Sequence, residues 1–599
     1  MIFSKFGRKG QSRTIKTPVL TFAVLAQCFE QLEQTSSRKQ LTTVLADLLG
    51  QVDADEIAEV SYLLQGRAAP LYEPVEFGLG ERSIEKAVGQ AYGVEPTEVR
   101  ERYGRLGDLG LVVAELAAQA GDGTAADRPV RQVFAELRAV ADLSGPGSAE
   151  RKLSGLTRLL SGLDPISGKH LVRIPLGTSR LGVGDATILA AFTQSRLGGT
   201  KAEQQALEDA YNRTSDLGLL GETLWTQGLD GVKTLQVMVG RPIRPQLAER
   251  LPDVPSLLDK LGGRAHVQLK FDGVRVQLHL DRSQPRGEQV RLFSRSLESM
   301  TSMFPELVNG VLEQVQAETA ILDAEALAYN PLSDEFLPFQ ETTRRRRKHG
   351  IGEMQAELPI KAMVFDMMYR DGQALLDRPL VDRIATLTST VKGNEVLQAE
   401  PGEVIHDAER LELVFEEALG RGLEGLVVKR VDSPYQAGAR NFNWVKLKKH
   451  SRGALEDTID CVMLGYFLGR GKRVELGVGA LLVGVYDQDN DEFVTVTRIG
   501  TGLGDEQWRE VASRAAPFRS EGKPARVRST IAPSVWVEPK IVLEVLADEI
   551  TISPNHTAGY ALRFPRVIRF RDADKRPEDA TTLRELVELY QQQPGRTLE

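Results

Sequence analysis

The residues with the clearest chemical potential lie in HVQLKFDGVRVQLHL, His266 to Leu280. Lys270 ends one alternating run there, and Phe271, Asp272 and Gly273 lead into a second. In the second run Val274, Val276, Leu278 and Leu280 share one face, because strand side chains alternate. A lysine at a strand end is a candidate nucleophile, but with an ordinary pKa of about 10.4 only roughly one in a few thousand is neutral at pH 7. Burial or nearby cations would have to lower that pKa. Asp272 and Arg275 are close enough in sequence to orient the amine and the group it attacks. Taken alone, KFDGVR fits equally well with a plain hairpin turn carrying a solvated charge cluster.

Downstream, charged residues recur at the ends of apolar runs. Arg295 follows a strand in LFSRS. In AILDAEALAYN, Asp323 and Glu325 are two apart and so lie on one strand face. Two such carboxylates repel unless something positive lies between them, and Mg²⁺, which takes one or two carboxylates plus phosphate oxygens, is the natural counter-charge. Phe365, in IKAMVFDMMYRDG, could stack on a base or belong to the core. Glu424 precedes the apolar run of GLEGLVVKR, and GARNFNWVKLKKH carries Arg440, Lys446 and Lys448, the last two on one face and suited to a polyphosphate. A lysine nucleophile, acids for a metal, cations for phosphates and an aromatic for a base form the set needed to attack the α-phosphorus of a nucleotide and release pyrophosphate. The pattern implies nucleotidyl transfer.

The elements that must position these groups follow from length and periodicity. At 599 residues the chain is too long for a single core. From Thr17 to about Leu235 the pattern is helical, with turns at GDLG (Gly107 to Gly110), AGDGTAADRP (Ala120 to Pro129) and SGPGS (Ser144 to Ser148). Lys169, Arg173 and Arg180 lie in a glycine-containing stretch that could meet phosphates. GRPIRPQLAERLPDVP, Gly240 to Pro255, has four prolines and reads as an extended linker at a domain boundary. An α+β pattern continues to about Lys449. Closely spaced strands from Asp457 then suit a small β-barrel, and a helix over Glu578 to Gln592 closes the chain. Gly469 to Lys472 lacks the spacing and the Ser or Thr of a P-loop.

Two cysteines, Cys28 and Cys461, exclude a disulfide framework and a four-cysteine zinc site, and a reducing cytoplasm fits. The longest apolar patch is too short to span a bilayer, so no membrane partner is expected. The net charge of −8 does not suggest a polyanion binder, but local clusters can act. RRRRK, Arg344 to Lys348, is a candidate contact to a nucleic-acid backbone.

Together the motifs resemble those of the ATP-dependent DNA ligases, in particular archaeal-type enzymes related to eukaryotic DNA ligase I. KFDGVR resembles the nucleotidyltransferase signature, FSRS the following arginine motif and LDAE the acidic motif. VFDMMY resembles the adenine-stacking motif, LEGLVVK the second acidic motif and WVKLK the final lysine motif. WVEPKIVLEV and LRFPRVIRFRDADK resemble the C-terminal signature, while SSR (Ser36 to Arg38), GDLG and VRIPLGTSRLGVG resemble the helical DNA-binding domain. The resemblance implies a multidomain chain: an all-α DNA-binding domain at 1–238, an α+β adenylation domain at 239–451, and an OB-fold barrel with a C-terminal helix at 452–599. It implies that Lys270 carries AMP, that Arg275 and Arg295 contact ribose or phosphates, and that Glu325 and Glu424 serve the ribose and Mg²⁺ or Mn²⁺. Phe365 would stack on adenine, and Arg440, Lys446 and Lys448 would hold phosphates. Arg563, Arg566, Asp574 and Lys575 would orient pyrophosphate. ATP is the implied substrate and nicked duplex DNA the implied partner, for a monomer that a replication clamp could recruit.

Two departures stand out. The family carries Glu two positions before the lysine, taking the adenine amino group; here it is Gln268, whose carbonyl can accept that bond without the charge. The expectation is a weakened adenine preference in which ATP still outcompetes GTP. RFRDADK is one residue longer than the family pattern, which leaves Asp572 and Asp574 as alternatives. The competing readings are an RNA ligase or capping guanylyltransferase, against which the large helical domain argues, and a catalytically silent DNA clamp. An NAD-dependent ligase lacks support because that family's zinc cysteines are missing.

Overall fold

The helical periodicity expected from Thr17 to Leu235 is realised, among the described residues, as twelve helices running from Phe22–Glu33 to Leu217–Lys233. The computed structural model describes residues 19–35, 37–121, 128–250, 254–330, 335–337, 339–345, 355, 357–421, 423–448, 458–469, 477–500, 503, 505–571, 575–591 and 593. Ser36, most of the 120–129 turn, Arg346 to Lys348, Asp572, Asp574 and the 470–472 part of the Gly-Arg-Gly-Lys run lie outside them.

Among the helices that make polar contacts with distant parts of the chain are α1 (Phe22–Glu33), α2 (Pro165–Arg173), α3 (Asp185–Arg196), α4 (Lys201–Thr214) and α5 (Leu217–Lys233). α2 begins where it does because Asp164 caps it, its Oδ1 accepting from the Ile166 and Ser167 amides at 3.0 Å, with Pro165 in the first turn. α1 buries Phe22, Leu25, Ala26, Phe29 and Leu32 on one stripe.

The basic residues of α2 are not presented to a phosphate. Lys169 and Arg173 are buried, and each meets α1: Lys169 Nζ lies 2.6 Å from Glu30 and 2.9 Å from Glu33, and Arg173 forks onto both Glu33 oxygens at 2.8 and 3.0 Å. The expectation of phosphate contacts is corrected for these two, because the carboxylates of α1 already answer their charge. Arg180 has a left-handed backbone conformation (φ 55°). In RRRRK, Arg345 is likewise buried and paired with Glu306, while Arg344 pairs with Glu341 and Glu357. Both are thus ion-paired, Arg345 in the interior and Arg344 at the surface.

The central region has two sheets. One contains β3 (Val274–Asp281), β4 (Val290–Ser294), β5 (Thr319–Asn330) and β6 (Ile360–Arg370) in the order β4-β3-β5-β6, with β7 (Leu397–Ala399) parallel to β6. The other contains β1 (Leu247–Arg250), β2 (Ala265–Lys270), β8 (Glu403–Ile405), β9 (Gly425–Lys429) and β10 (Arg440–Lys448) in the order β1-β10-β9-β2-β8. Val274, Val276, Leu278 and Leu280 do share the core face of β3, packing with Leu322, Ala324, Val364 and Met367.

The chain divides into two compact units. One holds residues 1–102, 109–413 and 426–446, so the helical region and the paired central sheets belong to one unit; the other holds 103–108, 414–425 and 447–599. The second unit contains the expected strand-rich barrel. In the strand Ile459–Phe467, the part from Val462 onward pairs with Ala480–Asp487 on one side, while on the other Ile459–Val462 pairs with Val542–Leu546 and Gly465–Tyr466 with Val535–Val537. The final helix is shorter than expected, Leu583–Gln591, because Thr582 starts it: Thr582 Oγ1 accepts from the Glu585 amide at 3.2 Å and Glu585 returns to the Thr582 amide at 2.7 Å. No helix among the described residues is long and apolar enough to cross a membrane.

The α1–α2 network sets a pH response. Burial pushes Glu33 up, but hydrogen bonds from Arg173 and Lys169 outweigh it and hold the carboxyl at about 2. Burial, aided by Arg173 and Lys169, lowers His170 to about 4. Both folded values lie below the unfolded ones, so their stabilisation is present above the unfolded pKa and lost as pH falls through the folded one. Thermal denaturation should show the unit containing α1 losing stability from about pH 6.5 downward, with Glu33 accounting for roughly 3 kcal/mol of the loss by pH 2. Glu33→Gln should flatten the part below pH 4.5.

Candidate active site

Lys270 ends β2, and after three intervening residues the chain enters β3, which lies in the other sheet. The pair is therefore not a hairpin. Lys270 sits where the backbone crosses between sheets, and the crossing is tight: a Cβ on Gly273 would collide with the Ala326 carbonyl and come within 3.0 Å of Glu325 Cγ. That close approach accounts for the glycine of KFDGVR. It also brings the Gly273 amide to the Glu325 carboxylate.

Lys270 is half-buried, and burial lowers its pKa; Glu325 and Asp272 oppose the shift, while Arg295 and Arg275 add to it. Burial raises Glu325 to about 7 against the pull of Lys270 and Arg275. Asp272 and Arg295 are exposed, Arg295 just past the end of β4.

Asp323 and Glu325 do share a strand face, but they have different partners. Asp323 is buried, with its Oδ1 and Oδ2 accepting from Arg275 Nε and Nη2 at 3.0 and 2.6 Å and Oδ2 also accepting from Tyr435 Oη at 2.8 Å. The counter-charge between the two acids is thus a guanidinium for Asp323, which corrects the expectation of a metal shared by the pair. Arg275 remains charged, and its Nη1 donates to the Gln246 carbonyl at 2.8 Å. Glu325 keeps a carboxylate beside Lys270.

Gln268 is buried, and its Nε2 donates to the carbonyls of Glu400 at 2.6 Å and Phe365 at 3.1 Å. Only an amide NH₂ can serve two carbonyls, so the side chain's orientation is fixed, and its buried Oε1 has no hydrogen-bond partner among the described residues. Phe365 is half-buried in an edge-on contact with Trp444, ring centroids 6.1 Å apart. Beneath these rings Lys429 places its Nζ 3.9 Å from the Trp444 centroid and 4.9 Å from that of Phe365, and burial lowers it to about 7. The next residue, Asp366, forms a fully buried fork with Arg383 at 2.8 and 3.0 Å.

The other expected residues are more scattered. Glu424 immediately precedes β9, which neighbours β2 in the sheet. On β10 Arg440 is exposed and Lys446 half-buried; the side chain of Lys448 lies outside the described residues. In the second unit Arg563 pairs with Glu549 at 3.4 Å, Arg566 with Asp548, and Lys575 with Asp460. Sequence reasoning missed Tyr435, Gln246 and Arg383, while Lys429 was readable as a charged residue at the end of an apolar strand. The alternation of Arg275, Gln277 and His279 along β3 reads as a solvated polar face, so the burial of Gln277 and His279 could not be found from the pattern.

Three family descriptions match successive parts of the chain: DNA ligase N terminus over residues 21–193, ATP dependent DNA ligase domain over 245–448, and ATP dependent DNA ligase C terminal region over 475–575. A probable DNA ligase of Dictyoglomus turgidum is 42% identical over 97% of this chain and 99% of its own length. The chain belongs to the ATP-dependent DNA ligases. A DNA ligase of Sulfolobus acidocaldarius is 38% identical over 96% of this chain and 98% of its own. A solved chain named Pmar-Lig_PreS3, 17% identical with a TM-score of 0.51 over 91% of this chain and 99% of that one, shares the fold. As a member of this family the chain has its three-part architecture, takes ATP as substrate and joins nicked DNA.

The Asp366–Arg383 fork anchors the strand that carries Phe365. Asp366→Ala would leave a fully buried guanidinium uncompensated, and denaturant unfolding should register a loss of about 3–5 kcal/mol.

Proposed function

We propose that Lys270 is the nucleophile that carries AMP. The observation supporting this is its position: a lysine made easier to deprotonate by burial, at a sheet crossing, between the Glu325 carboxylate and the cations Arg275 and Arg295. The neutral amine attacks the α-phosphorus of ATP, an N–P bond forms, and pyrophosphate leaves. The AMP then passes to the 5′-phosphate of a nick, and the 3′-hydroxyl displaces AMP to close the strand. Arg295, Arg440, Lys446 and Lys448 are assigned to phosphate oxygens. Phe365 is assigned to the adenine face, and Arg563, Arg566, Asp574 and Lys575 to pyrophosphate.

Glu325 fits a divalent metal, since it is a carboxylate held against the nucleophile without the arginine fork that occupies Asp323; Glu424 has the second place through its family motif. Mg²⁺ or Mn²⁺ there would neutralise charge on the transferring phosphoryl group. The proposed domain limits are 1–238, 239–451 and 452–599. The enzyme is proposed to act as a monomer on chromosomal DNA in replication, recombination and repair, with a replication clamp as a recruiting partner.

Mass spectrometry of the protein incubated with ATP and Mg²⁺ should show one added AMP, absent in Lys270→Ala, together with sealing of a nicked duplex. A protein that neither gains that mass nor seals the nick would instead be a silent clamp, and one that seals only RNA would belong to the RNA-joining alternative.

Gln268 supports adenine selection through its buried Oε1, which can accept from the adenine amino group and would face the carbonyl of guanine. ATP should label Lys270 in preference to GTP. Gln268→Glu, although it restores the residue usual in the family, would set a carboxylate against two carbonyl oxygens; the KM for ATP should rise roughly tenfold or more. Unchanged ATP kinetics in that variant would show that the two carbonyls do not hold the side chain in this orientation.

A further inference from the structure

The proline-containing segment expected to be a linker is instead hydrogen-bonded along both edges. On the helical side Arg241 and Arg244 each meet a carboxylate at a helix start. Arg244 pairs with Asp185, the first residue of α3, and lies over the Tyr211 ring of α4 at 4.5 Å; Tyr211 Oη and Gln65 Nε2 donate to the same Asp185 at 2.8 and 2.9 Å. Arg241 lies 3.9 Å from Asp216, which caps α5 and accepts from Tyr62 and Tyr72 at 2.8 and 2.7 Å. Between them the Arg244 amide donates to the Asn212 carbonyl at 2.9 Å.

The other edge runs along the polar face of β3. The Gly240 amide donates to His279 Nδ1 at 3.0 Å. Gln277 holds Ile243 twice, accepting from its amide at 2.8 Å and donating to its carbonyl at 3.0 Å. At Gln246 the segment closes a ring. Its carbonyl accepts from Arg275, its amide donates to Tyr435 Oη at 3.1 Å, Tyr435 donates to Asp323, and Asp323 holds Arg275. Gln246, Tyr435 and Asp323 are all buried, so each bond in the ring is shielded from water.

We infer that Arg244 is a positioning residue for nucleotide chemistry, acting through the strap Gly240–Gln246 on Arg275, whose charge lies beside Lys270. This rests on the reading of Lys270 as the nucleophile. The consequence is specific: a contact made with the helical region governs a step that involves no DNA. If Arg244 served only to dock the helical region, its loss would weaken DNA joining and leave lysine adenylation untouched.

The test measures DNA-free adenylation of the full chain with ATP and Mg²⁺, well below the melting temperature. Arg244→Met, which frees the helical edge, and Gln277→Met, which frees the β3 edge, should each lower kcat/KM for adenylation by about 3- to 30-fold. Arg244→Lys, retaining charge without the planar fork, should recover part of the loss. Because both act through one strap, the double variant should be no worse than the poorer single one. Amide exchange at Ile243 and Gln246 should accelerate in Arg244→Met and Arg244→Lys. Losses that add in the double variant, adenylation at the wild-type rate in Arg244→Met, or unchanged exchange at Ile243 and Gln246 would each overturn the inference. Absence of labelling in the wild type would sink the Lys270 reading instead, and the exchange result would still decide whether the strap transmits.

Discussion

A guanidinium buried against aromatic rings is tolerable only when a carboxylate answers it, and the central region is organised around one such requirement. Arg275 projects from the polar face of β3 toward Phe365 and Trp444, with its guanidinium carbon 5.4 and 5.6 Å from their centroids. Asp323 must stand opposite, and it does so because β5 is the strand paired with β3, with Gln277 registered on Asp323 and Arg275 on Glu325. Once Asp323 is committed to Arg275, Glu325 is the acid of that face left beside the lysine. The division of labour between two carboxylates two residues apart is thus set by one ion pair.

Much of this was legible because alternation in a strand is a strict code. The core face of β3, the shared face of Asp323 and Glu325, and the strand ends occupied by Lys270 and Glu424 all follow from counting by twos. What counting cannot supply is the partner across space. Arg275 and Asp323 are 48 residues apart and Tyr435 is a further 112 along, so no local pattern reveals that their side chains converge. The same limit explains why Lys169 and Arg173 read as phosphate ligands: their carboxylates lie about 140 residues earlier, in α1. The hairpin reading of KFDGVR failed for a related reason, since a three-residue turn looks alike whether its strands pair or part into separate sheets.

Gln268 illustrates how a departure from a family pattern can be dictated by surroundings. Two backbone carbonyls, from Phe365 and Glu400, converge on its terminal nitrogen. Gly402, with φ +62°, brings the Glu400 stretch round so closely that a Cβ there would come within 2.7 Å of the Gln268 side chain. A carboxylate in that position would be repelled from both sides, whereas an amide is held by both.

The strap Gly240–Gln246 also bears on where the central region ends as a folding unit. Arg275, Gln277 and His279 face it with polar groups that no other described element satisfies in the same way, and His279 and Gln277 are buried. A fragment beginning at β1 would retain every strand of both sheets yet expose or orphan that row of side chains. The seven residues before the first strand therefore act as part of the scaffold, and the smallest autonomous piece of this enzyme is defined by hydrogen bonding rather than by its secondary structure.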